Sequence, residues 1–248
     1  MFYQIPEPIE DILLVFSYWD HILSGFILTM WLYAWAILIG FILGLILSIL
    51  RQYGGKILKI ISTSYIELMR GTPLLAQLLF LYYLPTSLNL PTPDWAVVSN
   101  FSLFDKNFNI IFLNHRTMVG IIALGLNSAA YQAEYFRGSF MSVGTGQLLA
   151  AQSLGMSKFE GIRHIILPQA LRRVIPSWSN EAAYLPKYTI VVYFISVQEL
   201  FAEAHYIVAF TYLSLTTYII IAIIFLVLIS TISKGLDVLY NRLKIPGL

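Results

Sequence analysis

A chain of 248 residues that is 58% hydrophobic and only 11% charged, with a positive mean hydropathy, lies outside the composition of an ordinary soluble domain and points to a bilayer. Its net charge of +2 includes no contiguous basic patch with interleaved aromatics and so makes no case for nucleic-acid binding. With no cysteine, disulfides, zinc thiolate sites and thiol catalysis are excluded as well.

In chain order, residues 1–20 carry Glu7, Glu10, Asp11 and Asp20 and no lysine or arginine, so no cleavable signal is expected and the first apolar run stays in the mature protein. That run, residues 21–50, would be about 45 Å long as one helix at 1.5 Å per residue, enough to cross a bilayer. Further apolar runs cover residues 57–84, 118–141, 168–197 and 206–233, which predicts five spans with the two termini on opposite sides. Arg51, Lys56 and Lys59 follow the first run. Arg137, Lys158, Arg163, Arg172 and Arg173 lie between the third and fourth, and Lys234, Arg242 and Lys244 follow the fifth. The other side holds only Lys106 and Arg116, so the positive-inside rule puts the N-terminus outside and the C-terminus in the cytoplasm. The expected organisation is an extracytoplasmic segment 1–20, then a transmembrane domain 21–248 with an outer loop 86–116 and a cytoplasmic loop 142–167. Trp95, Phe101, Phe104, Phe108 and Phe112 suggest an interfacial element in the outer loop.

The cytoplasmic loop reads as helix, turn, helix. Gly144 and Gly146 break the preceding span, and Gly155 stands where a left-handed C-terminal cap falls. Ser157 with Glu160 forms a capping box, and Pro168 is expected to redirect the chain. Leu148, Leu149, Ala150, Ala151 and Leu154 form the expected exposed face, with Lys158 on a solvated side. An amphipathic helix lying on the membrane surface would look much the same.

Within the spans, Asn127, Tyr131, Glu134 and Gly138 recur at helical spacing with Ser128 beside them. Trp178, Asn180, Glu181, Tyr184, Lys187 and Tyr188 surround Pro176 and Pro186. Polar groups are costly in hydrocarbon and usually face a cavity or a partner. Asn127 and Ser128 could serve a carboxylate, and Glu181 could receive an ammonium group. The alternative is that Asn127, Asn180 and Glu181 tie helices together by hydrogen bonds, and that Lys187 pairs within the bundle. Glu67 and Arg70, three apart, are expected to form a local ion pair, while Trp19, Trp31 and Trp35 read as interfacial anchors.

The segment "GQLLAAQSLGMSKFEGIRHIILPQALRR" contains Ala150-Ala151, three residues, Gly155, nine residues, Ile165, one residue, then Leu167-Pro168. This resembles the E-A-A-x3-G-x9-I-x-L-P loop motif of ABC importer permeases, the inner-membrane components of binding-protein-dependent transport systems, with Leu149 in place of the Glu. "YIELMRGTPLLAQLLFLYYLP", "LNSAAYQAEYFRGSF" and "LPQALRRVIPSWSNEAAYLPKYT" look like the polar amino-acid group of that family.

The resemblance implies an all-helical type I permease fold of about five transmembrane helices, paired with a second permease chain, the same or a paralogue. It implies ATPase subunits gripping a coupling surface of Leu149, Ala150, Ala151, Ser153, Leu154, Gly155 and Met156, and an extracytoplasmic substrate-binding protein that delivers a polar amino acid. The substrate pathway would then include Asn127, Ser128, Tyr131, Asn180, Glu181 and Tyr184. No cofactor is expected on this chain, ATP and Mg belonging to the partner ATPase. The sequence has no Walker-type glycine loop, no H-E-x-x-H, no G-x-S-x-G and no metal-ligand cluster, so the chain is expected not to be an enzyme. The competing readings are a permease for another small solute, and a channel or ion-coupled transporter using Glu134, Glu181 or Lys187 as a relay.

Overall fold

The computed structural model describes residues 8–243. Part of the expected N-terminal segment, residues 1–7, and Lys244 lie outside the described residues. Helices dominate: α1 (Pro8–Phe16), α2 (Trp19–Tyr53), α3 (Lys56–Gly71), α4 (Leu74–Ser87), α5 (His115–Val143), α6 (Thr145–Ser153), α7 (Lys158–Gly161), α8 (Leu167–Arg173), α9 (Ile175–Tyr188), α10 (Leu200–Thr211) and α11 (Ser214–Leu243). A π-helical turn, Ile162–Ile166, joins α7 to α8, and a 3₁₀ stretch, Thr189–Ile195, follows α9.

Among the described residues, Trp19–Tyr53 and Ser214–Leu243 are each long and apolar enough to cross a membrane, and a third crossing results if Ile175–Ile195 with Leu200–Thr211 counts as one broken span. The run 57–84 is divided into α3 and α4 at Thr72-Pro73, where proline's fixed φ and missing N–H stop the helical ladder. The run 206–233 is not one helix. Tyr212 takes a left-handed φ of 60° between α10 and α11, a break that no glycine or proline announces.

The outer loop is more ordered than its composition suggests. Strands β1 (Val97–Leu103) and β2 (Lys106–Leu113) pair antiparallel, with Asn100 opposite Asn109 and Phe101 opposite Phe108. Phe104 and Asp105 both have positive φ, 46° and 62°, the conformation of a tight two-residue hairpin turn.

Contacts divide the chain into two units. The first takes its described residues from 8–35, 74–124 and 186–228. Its core includes Val15, Ile207 and Ile220, packed with Tyr18, Ile22, Leu213 and Ile224. Trp31 donates from Nε1 to the Phe112 carbonyl at 3.0 Å, tying α2 to β2, and Trp19 packs its ring against Phe104 and Phe108.

The second unit takes its described residues from 36–73, 125–185 and 229–243. Phe136, Phe140, Val143, Ile166, Ala170 and Val174 form its buried cluster, with Phe41, Leu45 and Trp178 against it. A Cβ on Gly44 of α2 would stand 2.9 Å from the Ala129 carbonyl oxygen of α5, closer than such atoms approach. The two backbones therefore pack as small-residue helix pairs do in lipid.

Candidate functional site

The second unit holds both stretches that the sequence singles out. In the loop, α6 is launched from Gly144 and closed by Gly155, whose φ of 89° is the left-handed conformation expected there. Met156 N–H donates to the Ala151 carbonyl at 3.1 Å and Gly155 N–H to the Gln152 carbonyl at 2.9 Å, the paired bonds of a Schellman cap. Two residues on, the Ser157 hydroxyl accepts from the Glu160 N–H at 3.3 Å while the Glu160 carboxylate accepts from the Ser157 N–H at 2.8 Å, completing the capping box. Hydrogen bonding by Ser157, through its side chain and then its backbone, holds the Glu160 carboxyl below its ordinary range.

The face this segment presents differs from the expected one. Leu149 is 62% exposed, Leu154 85% and Phe159 68%, but Ala151 is buried at 4%. Ala151 turns inward because α7 packs across it: a Cβ on Gly161 would lie 2.8 Å from Leu148 Cδ1 and 3.4 Å from Ala151 Cβ. Leu148 is likewise drawn into the core cluster. Of the coupling candidates, Leu149, Ala150, Ser153, Leu154 and Gly155 are exposed, Met156 is half-buried and Ala151 is interior. Lys158 is exposed as expected, yet its Nζ donates to the Tyr53 carbonyl at the end of α2, 2.6 Å away. Helical structure continues through Pro168. The π-helical turn before it bonds the Leu167 N–H back to Ile162, and Pro168 falls in the first turn of α8, where a missing N–H costs little.

The polar residues of α5 and α9 form a buried chain. Ser128 Oγ donates to Glu181 Oε1 at 2.6 Å, Gln132 Nε2 donates to Ser128 Oγ at 3.0 Å, and Trp178 Nε1 donates to Gln132 Oε1 at 2.6 Å. Ser128, Gln132 and Glu181 are all buried. Asn127 lies on another side of α5, where its Nδ2 donates to the Met69 carbonyl at 3.1 Å, next to the break between α3 and α4. Tyr131 is half-buried, with the Arg70 guanidinium 5.4 Å from its ring centroid. Asn180 and Tyr184 share an exposed face of α9. Of the six pathway candidates, Ser128 and Glu181 are brought into contact, Asn127 and Tyr131 line up toward α3, and Asn180 and Tyr184 point elsewhere.

The local pair between Glu67 and Arg70 is not formed. Arg70 reaches Glu134 at 3.6 Å, and Glu67 reaches Arg51 at 3.4 Å. Glu134 draws them because its carboxylate is largely shielded whereas Glu67 is mostly exposed, and shielded charges attract more strongly. Arg51 and Arg137 also bond Glu134, the latter at 2.8 and 2.9 Å, so three arginines converge on one carboxylate. Sequence reasoning missed this cluster and the bridging role of Gln132. Gln132 stands four residues after Ser128, one helical turn, which was the available signal.

Comparison with known proteins adds independent findings. A family model described as "Binding-protein-dependent transport system inner membrane component" matches residues 36–244. The chain is 30% identical over 225 residues to the glutamine transport system permease protein GlnP of Escherichia coli, covering 90% of this chain and 93% of that one. It is 29% identical over 224 residues to the nopaline transport system permease protein NocM of Agrobacterium fabrum, covering 90% and 88%. The crystal structure of an amino acid ABC transporter with histidines superposes with a TM-score of 0.76 at 33% identity, covering 92% of this chain and 96% of that chain.

Proposed function

We propose, from the premise that this chain belongs to the inner-membrane components of binding-protein-dependent transport systems, that it is the permease subunit of an importer for a polar amino acid. Such a component does not itself hydrolyse ATP, and the family works with a separate ATPase and a substrate-binding protein. In this reading the chain crosses the membrane five times, with its N-terminus outside and its C-terminus in the cytoplasm. It pairs with a second permease chain, and two ATPases grip the 142–167 loops. The observation that carries the reading is the loop itself. A nine-residue helix fixed by two consecutive caps presents Leu149 and Leu154 to solvent, an arrangement suited to a rigid apolar handle rather than a flexible linker.

ATP-driven closure of the ATPases would push this handle. Because Lys158 is tied to the end of α2 and Leu148 packs against the cluster that holds Phe136 and Phe140 of α5 and Val174 just before α9, the loop would move with the helices that carry Ser128 and Glu181. Among the described residues Glu181 has Ser128 as its hydrogen-bond partner, so a substrate ammonium would supply the opposite charge that a buried carboxylate needs. Asn127, Tyr131, Asn180 and Tyr184 would contribute elsewhere along the path as the helices rock, giving alternating access.

The test is reconstitution of the co-purified complex in liposomes. ATP-dependent uptake of a polar amino acid, requiring both the binding protein and the ATPase, is the expected result. Uptake by the permease chain without the ATPase would replace this reading with a channel or an ion-coupled transporter. ATP-driven uptake of a different solute would keep the importer and change its cargo.

A further inference from the structure

The first unit contains a polar cavity that the pathway described above does not use. It has a volume of about 160 Å³ and is walled by the start of α2, strand β2, the start of α5, the connector before α10, and α10 itself. A neighbouring cavity of about 220 Å³ shares Ser24, Asn109, Gln198 and Glu203 with it, so the two form one recess. Each wall is fixed. Leu200 N–H donates to Thr29 Oγ1 at 3.1 Å, Lys106 Nζ lies 3.3 Å from Asp20 Oδ1, and the Asn114 side chain caps the Thr117 N–H at 2.9 Å. A preformed recess of this size holds a small solute without reorganising.

Its charges are what select the solute. Glu203 is largely buried, and its Oε2 is held by His21 Nδ1 at 2.7 Å; no hydrogen bond within the described residues occupies its Oε1. Arg116, an exposed residue at the start of α5, lines the same cavity and forms no ion pair among the described residues. Ser24, Asn109 and Gln198 line the same recess, and their hydroxyl and amide groups donate and accept. An anion alone would meet Glu203, and a cation alone would meet Arg116. A molecule carrying an ammonium and a carboxylate on one carbon offers a partner to each, and charge-assisted bonds at both ends are the strong kind.

We propose that this recess is a second amino-acid site, in which Glu203 receives the α-ammonium group, Arg116 receives the α-carboxylate, and Asn109 and Gln198 contact a polar side chain. The inference rests on the amino-acid reading of the proposed function. It adds a site in the first unit, formed in part by strand β2 of the hairpin, in addition to the Ser128–Glu181 pair of the second. On the proposed topology the hairpin is extracytoplasmic, so the recess would receive substrate before the helices switch.

The absence of cysteine makes the test direct. Asn109→Cys and Gln198→Cys are introduced one at a time, and the purified importer complex is treated with a small cationic methanethiosulfonate reagent. Modification of this chain is followed by mass spectrometry, with each of the twenty common L-amino acids added in turn. The same preparation is assayed for ATP-driven uptake. The expected result is that the transported amino acid slows modification at both positions by about tenfold or more. Its decarboxylated amine and its deaminated acid should protect at neither. Arg116→Gln, which leaves the His21–Glu203 pair intact, and Glu203→Gln should each abolish the protection. If an amino acid is taken up but changes neither rate, or protects equally in both charge variants, the second site is overturned while the importer reading stands. If no amino acid is taken up at all, the amino-acid reading falls and this site falls with it.

Discussion

Replacing Gly155 by valine isolates the backbone requirement of the loop. A Cβ at this position meets nothing within 4 Å, so the substitution introduces no clash with neighbouring side chains, and its cost is the strain of holding a β-branched residue at a φ of 89°. Left-handed backbone costs an L-residue about 1–2 kcal/mol, and β-branching places valine at the upper end. If the strain is relieved by opening the cap, the two bonds from Gly155 and Met156 are lost, at about 0.5–1.5 kcal/mol each. Either route gives about 1–3 kcal/mol, or about a five- to 150-fold shift of the equilibrium between the ordered and the opened loop toward the opened form. Asparagine tolerates this conformation far better than valine, so Gly155→Asn should restore most of what Gly155→Val removes. The assay is ATP-driven uptake by the reconstituted complex, with hydrogen exchange over residues 145–160. Uptake should fall at least fivefold in the valine variant, with faster exchange at Gly155 and Met156 and near-normal behaviour for asparagine. Native exchange and native uptake in Gly155→Val would refute the claim that the cap fixes the handle.

The exposed and interior positions of α6 should separate cleanly. Leu154→Asp should leave the loop's exchange protection intact while reducing ATPase co-purification about tenfold, whereas Ala151→Asp, at 4% exposure, should destabilise the loop itself by several kcal/mol through an unpaired buried charge. Glu181→Gln keeps a partner for Ser128 but removes the charge, and should lower substrate-stimulated uptake tenfold or more with complex assembly unchanged on size exclusion. Loss of the complex instead would mark Glu181 as scaffold. Single cysteines at Asn100 on the hairpin and at Gln152 in the loop, both exposed, should be labelled by impermeant reagents from opposite sides of the membrane, Asn100 from outside. Since folding lowers the Glu160 pKa, the capping box contributes fully at neutral pH. Its contribution declines as pH falls below the unfolded value of about 4.3 and is lost below the still lower folded value. Exchange at Ser157 and Glu160 measured from pH 7 to pH 3.5 should follow that order.

The loop was legible because its signals are local. Gly155, Ser157 and Glu160 each act within a few residues, so spacing alone determines the cap and the box. The inward turn of Ala151 was not legible, since it depends on α7 folding back across α6, and an alanine carries no mark of which face is covered. The charges follow the same division. The spacing of Glu67 and Arg70 offers a pair within one helix, but Glu134, 64 positions beyond Arg70, wins by being shielded, and no local pattern reports that. The hairpin escaped notice for a different reason: its turn is Phe104-Asp105 rather than the glycine-containing dipeptides that favour positive φ. Ser128 and Glu181 were chosen as costly polar groups in apolar runs, which identified the residues without revealing that they meet.

The π-helical turn at Ile162–Ile166 fixes an angular phase. Each residue of an α-helix advances the side chains by about 100°, and a turn bonded over five residues holds one more residue than the α-helical ladder would. Ala170 and Val174 of the buried cluster lie downstream of it, and so does Glu181, in a segment where Trp178 N–H bonds back to Val174 without a long interruption. Deleting a single residue from Ile162–Ile166 would remove that extra residue and let the regular ladder close with the downstream phase kept, whereas deleting one from the α-helical start of α8, which has none to spare, would turn everything after it by about 100°. Ala170 would leave the core, and Glu181 would leave Ser128, although no side chain in either place had been altered. The hydrogen-bonded chain from Trp178 to Glu181 thus depends on a count of residues some fifteen positions upstream as much as on the identity of its own members.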